Sequence, residues 1–186
     1  MLETCLARPN GPGFPYGEQI TDISNRTTMS AYRKIMAACD LSPHALQVLK
    51  HAARLSRHLG SELLIVKIID QKEIDSVRTF FSKIAETHEN ITIDDYLKEM
   101  KKERYLDIQR LMRSIPRKDL TYKILIRTGR PCLELIKIVN EKEVDMVVMG
   151  TKGKSNFRGL FFGATAERMF KLCPVPLMSI RLNKNV

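Results

Sequence analysis

From about Tyr32 onward, short apolar runs alternate with segments whose apolar positions recur every three or four residues. That alternation is the mark of βαβ units and a parallel sheet. Ile35-Met36-Ala37-Ala38-Cys39 is apolar throughout, as a central strand covered on both faces must be. Asp40 ends it. Ser42-Pro43 then predicts a helix start, with serine as the cap and proline in the first helical position. Ala45, Leu46, Leu49, Ala52, Ala53 and Ser56 mark its small-residue face, and Gly60 stops it. Residues 63–69 read as a second buried strand, whereas 70–92 are polar, with a short helix expected around 77–85. A longer helix is expected over 94–114, with Leu97, Met100, Ile108, Leu111, Met112 and Ile115 on one side and Pro116 as its terminator. Residues 122–126 predict a third strand, and Arg130-Pro131 opens a helix carrying Leu133, Leu135, Ile136 and Val139. The all-apolar run 146–149 predicts a central fourth strand. A last helix over 164–172 and a last strand over 177–180 follow, and Pro174 and Pro176 suit an edge position for that strand.

Five strands joined this way wind right-handed onto both faces of the sheet, giving a three-layer, doubly wound, Rossmann-like α/β fold. Ligands of such sheets bind beyond the carboxyl ends of the strands, where the winding reverses. The first and fourth strands are the most completely apolar and are the expected central pair, so Asp40 and Gly150 should flank one crevice. Residues 1–31 have no period and are rich in Gly, Pro, Thr and Asn, and are expected to form a poorly ordered extension ahead of one domain over 32–186.

Composition narrows the class. The chain has 186 residues, 44% hydrophobic and 28% charged, in the range of ordinary globular proteins. No apolar stretch approaches the roughly 20 residues of a membrane span, and glycines and prolines interrupt the first fifteen positions where a signal peptide would need an apolar core. A cytoplasmic protein without a membrane partner is expected. Four scattered cysteines, Cys5, Cys39, Cys132 and Cys173, form no Cys-x-x-Cys pair, which points to reduced, mostly buried thiols. The net charge of +10 favours anionic partners. It is concentrated late: residues 150–186 carry seven Lys or Arg against the single acid Glu167, while 1–31 carry two basic and three acidic groups. The leading segment is therefore no basic arm, and nucleic acid is not an expected partner.

The informative stretch is Gly150 to Thr165, in which four of the nine glycines fall within fourteen positions, after a buried strand and before a helix. Glycine allows close backbone approach, and exposed amides with a helix N-terminus form a concave anion site. Lys152, Lys154 and Arg158 add positive charge, so a phosphate-bearing ligand fits. A P-loop does not: Gly153-Lys154-Ser155 copies its end, but Val148 stands where its first glycine belongs.

Gly150-x2-Gly153-x9-Gly163 before a helix resembles the ATP-binding motif of the universal stress protein family. The resemblance extends through Tyr32-Arg33-Lys34-Ile35 to Asp40, Lys67-Ile68-Ile69-Asp70, Thr128-Gly129-Arg130-Pro131 and Cys173-Pro174-Val175-Pro176, nearly all of residues 32–182. It implies strand order 3-2-1-4-5, a homodimer formed through the last strand, and a bound adenine nucleotide: ATP, or ADP or AMP, with magnesium as a candidate companion. By matching positions, Ala38 and Asp40 would contact the adenosine and Ile68 would pack against the adenine. Met149, Gly150, Lys152 and Gly153 would line the ribose and phosphate path. Gly163, Ala164 and Thr165 would present amides to the phosphates. Ala164 departs from the family pattern, which has a hydroxyl residue there. Losing one neutral hydrogen bond weakens phosphate binding by roughly 0.5–1.5 kcal/mol.

His44, His51 and His58 recur every seven residues, a rise of about 10.5 Å along a helix, too far for one metal ion. Lys98, Lys101, Lys102 and Arg104 are interleaved with Glu99 and Glu103, as on a solvated helix face. No nucleophile-base pair is visible, so the expected function is a nucleotide-binding sensor or regulatory module of the stress response, with slow hydrolysis at most. Two other classes stay open at this stage: a dimeric interaction module without nucleotide, and an ATP-dependent enzyme of the related α/β group.

Overall fold

The computed structural model describes residues 32–84, 92–116, 118–151 and 163–181. The expected extension 1–31 lies outside these residues. The elements run β1 (Lys34–Ala38), α1 (Ala45–Leu59), β2 (Glu62–Asp70), α2 (Gln71–Ile84), α3 (Ile93–Arg113), β3 (Tyr122–Gly129), α4 (Pro131–Glu141), β4 (Met146–Gly150), α5 (Ala164–Leu172) and β5 (Leu177–Ile180).

All four strand pairings are parallel and the order is β3-β2-β1-β4-β5, as the resemblance implied. The alternation of side chains along each strand divides the core in two. Ile35, Ala37, Leu63, Ile65 and Val148 point to the face covered by α1 and α3, where Leu49, Ala52, Ile108 and Met112 are fully buried against them. Met36, Leu64, Val66, Val147 and Met149 point to the opposite face, covered by α4 and α5. A small third cluster, Ile69, Ile74 and Met100, seats α2 between the end of β2 and α3.

Three boundaries differ from the sequence expectation. Helix α1 begins at Ala45, not at Ser42-Pro43, because the Asp40 carboxylate takes the Ser42 amide at 3.0 Å and Leu41 adopts a left-handed φ of 58°. A turn therefore precedes the helix, closed by the Ala45 amide donating to the Ser42 carbonyl at 2.9 Å. Helix α2 spans Gln71–Ile84 and starts directly after β2. It was expected to be shorter because only Ile74 and Val77 of its first two turns are apolar, and those two are enough to anchor it on Ile69. Strand β3 runs on to Gly129 through Arg127 and Thr128, polar residues that an edge strand tolerates.

Cys39 and Cys132 are buried and Cys173 partly so, all as free thiols. Burial pushes the Cys132 and Cys173 thiols up from their ordinary value, which keeps them protonated.

Candidate functional site

Ala38 at the end of β1 sits in register with Met149 of β4. From this pair the chain leaves toward opposite faces, into α1 after β1 and toward α5 after β4. The reversal opens a cleft of about 390 Å³ at the carboxyl ends of the strands. Its size lies within the roughly 300–1,000 Å³ of small-molecule sites. Ala38, Asp40 and Ile68 line one side, Met149 and Gly150 the floor, and Gly163, Ala164 and Thr165 the other side. Eight of the ten expected site residues thus meet in one cavity, though they come from four separate stretches of chain. The other two, Lys152 and Gly153, lie outside the described residues.

Asp40 is the polar centre of the β1 side. One carboxylate oxygen, Oδ1, accepts the Ser42 amide; the other, Oδ2, is buried and has no hydrogen-bond partner among the described residues. Lys67, 6% exposed, reaches across from β2 and donates its Nζ to the Asp40 carbonyl at 3.2 Å. A buried acceptor left unpaired costs roughly 1–3 kcal/mol, more when charged, which a ligand donor would recover.

On the opposite side, Gly163 caps α5 with extended backbone and no side-chain bond. The Gly163 amide donates to the Thr151 carbonyl at 2.9 Å. Gly163 was expected to offer its own amide to a ligand; the pairing with Thr151 uses it instead. The amides of Ala164, Thr165 and Ala166 follow in the first helical turn, whose leading amides have no partner within the helix itself. They form the positive end of the helix dipole, at the cleft. Ala164 supplies a methyl there, and Thr165 is half-buried.

Several lining residues were not singled out as site residues from sequence. Lys67 is one, and the signal was available: a single lysine inside the apolar run 63–69. Asp70, Lys72 and Glu73 form the rim beside β2. Asp70 accepts the Lys72 amide at 3.1 Å, and Glu73 pairs with Arg104 of α3 at 3.5 Å. Pro131 and Leu135 of α4 give this end an apolar wall. Among the described residues, no three His, Cys, Asp or Glu side chains are grouped to hold a metal ion, and no helix is long and apolar enough to cross a membrane.

The chain belongs to the universal stress protein family, whose pattern it matches over residues 31–181. It is similar to universal stress protein MJ0577 of Methanocaldococcus jannaschii, 25% identical over 154 residues, spanning 81% of this chain and 95% of that protein. The solved structure of MJ0577 superposes with a TM-score of 0.68 at 23% identity, covering 83% of this chain and 99% of that one. A universal stress protein solved in complex with cAMP shares the fold at a TM-score of 0.52 and 15% identity, covering 82% and 98% of the two chains.

Proposed function

We propose that the cleft binds an adenine nucleotide, ATP foremost with ADP and AMP as alternatives, and that the protein acts as a cytoplasmic sensor or regulatory module of the stress response. The observation that carries this reading is that Asp40, whose buried Oδ2 has no hydrogen-bond partner among the described residues, lines a cleft that the first turn of α5 also lines. A carboxylate accepts from ribose hydroxyls or an adenine amine, while amides at a helix N-terminus donate to phosphate oxygens, and a nucleotide presents both at once. Ile68 offers the apolar surface a purine ring needs. The relative solved with cAMP supports an adenine ring in this family of clefts. Magnesium, when bound, would neutralise phosphate charge, and Asp40 is the carboxylate of this cleft with an open oxygen. Lys152 and Gly153 would complete the phosphate path.

Binding rather than turnover is favoured by the state of the lining acids. Asp70 is engaged with an amide and Glu73 with Arg104, each through one oxygen, and both stand at the β2 rim rather than in the first turn of α5, where the phosphates would lie. A steady phosphate release above about 1 per second would count against this reading. A homodimer formed through edge strand β5 is part of the same proposal, supported by Met178 exposed on β5 and by Phe170 and Leu172 exposed on the preceding helix α5. The same apolar edge, together with Ala164, favours the interaction module as second reading. Calorimetric titration with ATP, ADP and AMP separates the two: submillimolar affinity for at least one nucleotide is expected, and binding of none overturns the nucleotide reading.

A further inference from the structure

Buried lysines are rare, and one that lines a cleft beside an acid needs a reason. Lys67 lies on β2, between Val66 and Ile68, with its ammonium 3.2 Å from the main-chain carbonyl of Asp40. The segment it touches is a turn rather than a continued strand. Leu41, the next residue, is in the left-handed region at φ 58°, and among the described residues the Asp40 side chain is held through Oδ1 to the Ser42 amide. A lysine bond to the Asp40 carbonyl fixes the peptide plane from which both of these depend.

We propose that Lys67 is the positioning residue of Asp40: its ammonium holds the β1–α1 turn so that Oδ2 faces the ligand already aimed. This deepens the nucleotide reading and rests on it. The lysine acts through the aspartate, so its loss harms recognition of the adenosine part, whatever the number of phosphates. A direct role on phosphate would instead show as a loss for ATP and not for adenosine.

The test is a double-mutant cycle of Lys67→Met and Asp40→Asn, read by calorimetry with ATP and with adenosine. Lys67→Met is expected to weaken both ligands by the same factor, about tenfold, and to cost less than twofold when Asp40 is already Asn. Lys67→Arg, which keeps a cationic donor, should recover most of the affinity. An equal loss in both Asp40 backgrounds, or a loss confined to ATP, overturns the proposal. A readout without ligand is amide hydrogen exchange at Ser42, which should quicken in Lys67→Met while the exchange of core strand amides stays unchanged. Unchanged protection at Ser42 overturns the positioning role even if nucleotides bind. A wild-type protein that binds neither ATP nor adenosine overturns the functional reading of the cleft instead.

Discussion

Asp40 serves two ends with its two oxygens. Oδ1 builds the turn into α1, and Oδ2, without a partner among the described residues, is the acceptor the proposed nucleotide would engage. Asp40→Ala should therefore weaken adenosine and ATP about 10- to 100-fold, the worth of one hydrogen bond to a charged acceptor, as titration calorimetry would measure. Its Tm should move less than that affinity, because losing the Ser42 bond is offset by removing a buried unpaired oxygen. Ala164 is the converse case, a position where a group is missing. Ala164→Ser places a hydroxyl in the first turn of α5 and should tighten ATP by up to about tenfold while leaving adenosine unchanged. An equal gain for both ligands would mean that the phosphates do not lie at α5.

At the scale of elements, the junction between β3 and α4 is under the tightest local constraint. Gly129 has φ 140°, and a Cβ added there would lie 2.7 Å from Cγ of Glu134. Glu134 can swing away, but only by giving up its bond to Lys137, and the backbone conformation stays unfavourable for any L side chain. Gly129→Ala should cost about 1–3 kcal/mol, a fall of several degrees in Tm. Nearby, Arg127 of β3 donates to Glu141 of α4 and holds that carboxyl below its ordinary value. A depressed acid stabilises the fold above its unfolded value and loses that contribution as pH falls through the folded one. The difference in Tm between wild type and Glu141→Gln should thus be full at neutral pH and shrink as the solution is acidified from the ordinary glutamate value of about 4.3 down through the lower folded one. Strands were the most readable elements, because buried parallel strands are apolar on both faces and end sharply at Asp40, Asp70 and Gly150. Helix α2 was less so, since one narrow apolar contact anchors an otherwise solvated helix. The start of α1 was misjudged for a related reason: Ser42-Pro43 has the local chemistry of a cap, but Asp40 captures the serine amide first. The cleft was read from glycine spacing and one acid. Lys67 escaped because its role depends on β2 lying beside β1, which no local pattern states.

For the molecule as a whole, the edges of the sheet decide what else it can meet. β3 at one edge carries paired charges, Lys123 with Glu62 at 2.8 Å and Arg127 with Glu141, which discourage a further strand. β5 at the other edge is short and apolar, with Met178 exposed. Met178→Lys should convert a dimer into monomers, measured by native mass spectrometry, with nucleotide affinity unchanged because the cleft lies at the ends of the strands. A monomeric wild type would remove the dimer from the account and leave the cleft intact. The bond between Gly163 and Thr151 has a consequence of its own. It clasps the chain on either side of 152–162, so whatever is spliced in there begins and ends at fixed posts. Lengthening such an insert is inexpensive, about 0.6 kcal/mol per doubling. An insertion between the two posts should therefore leave the sheet and its helices standing, with a melting temperature within a few degrees of wild type.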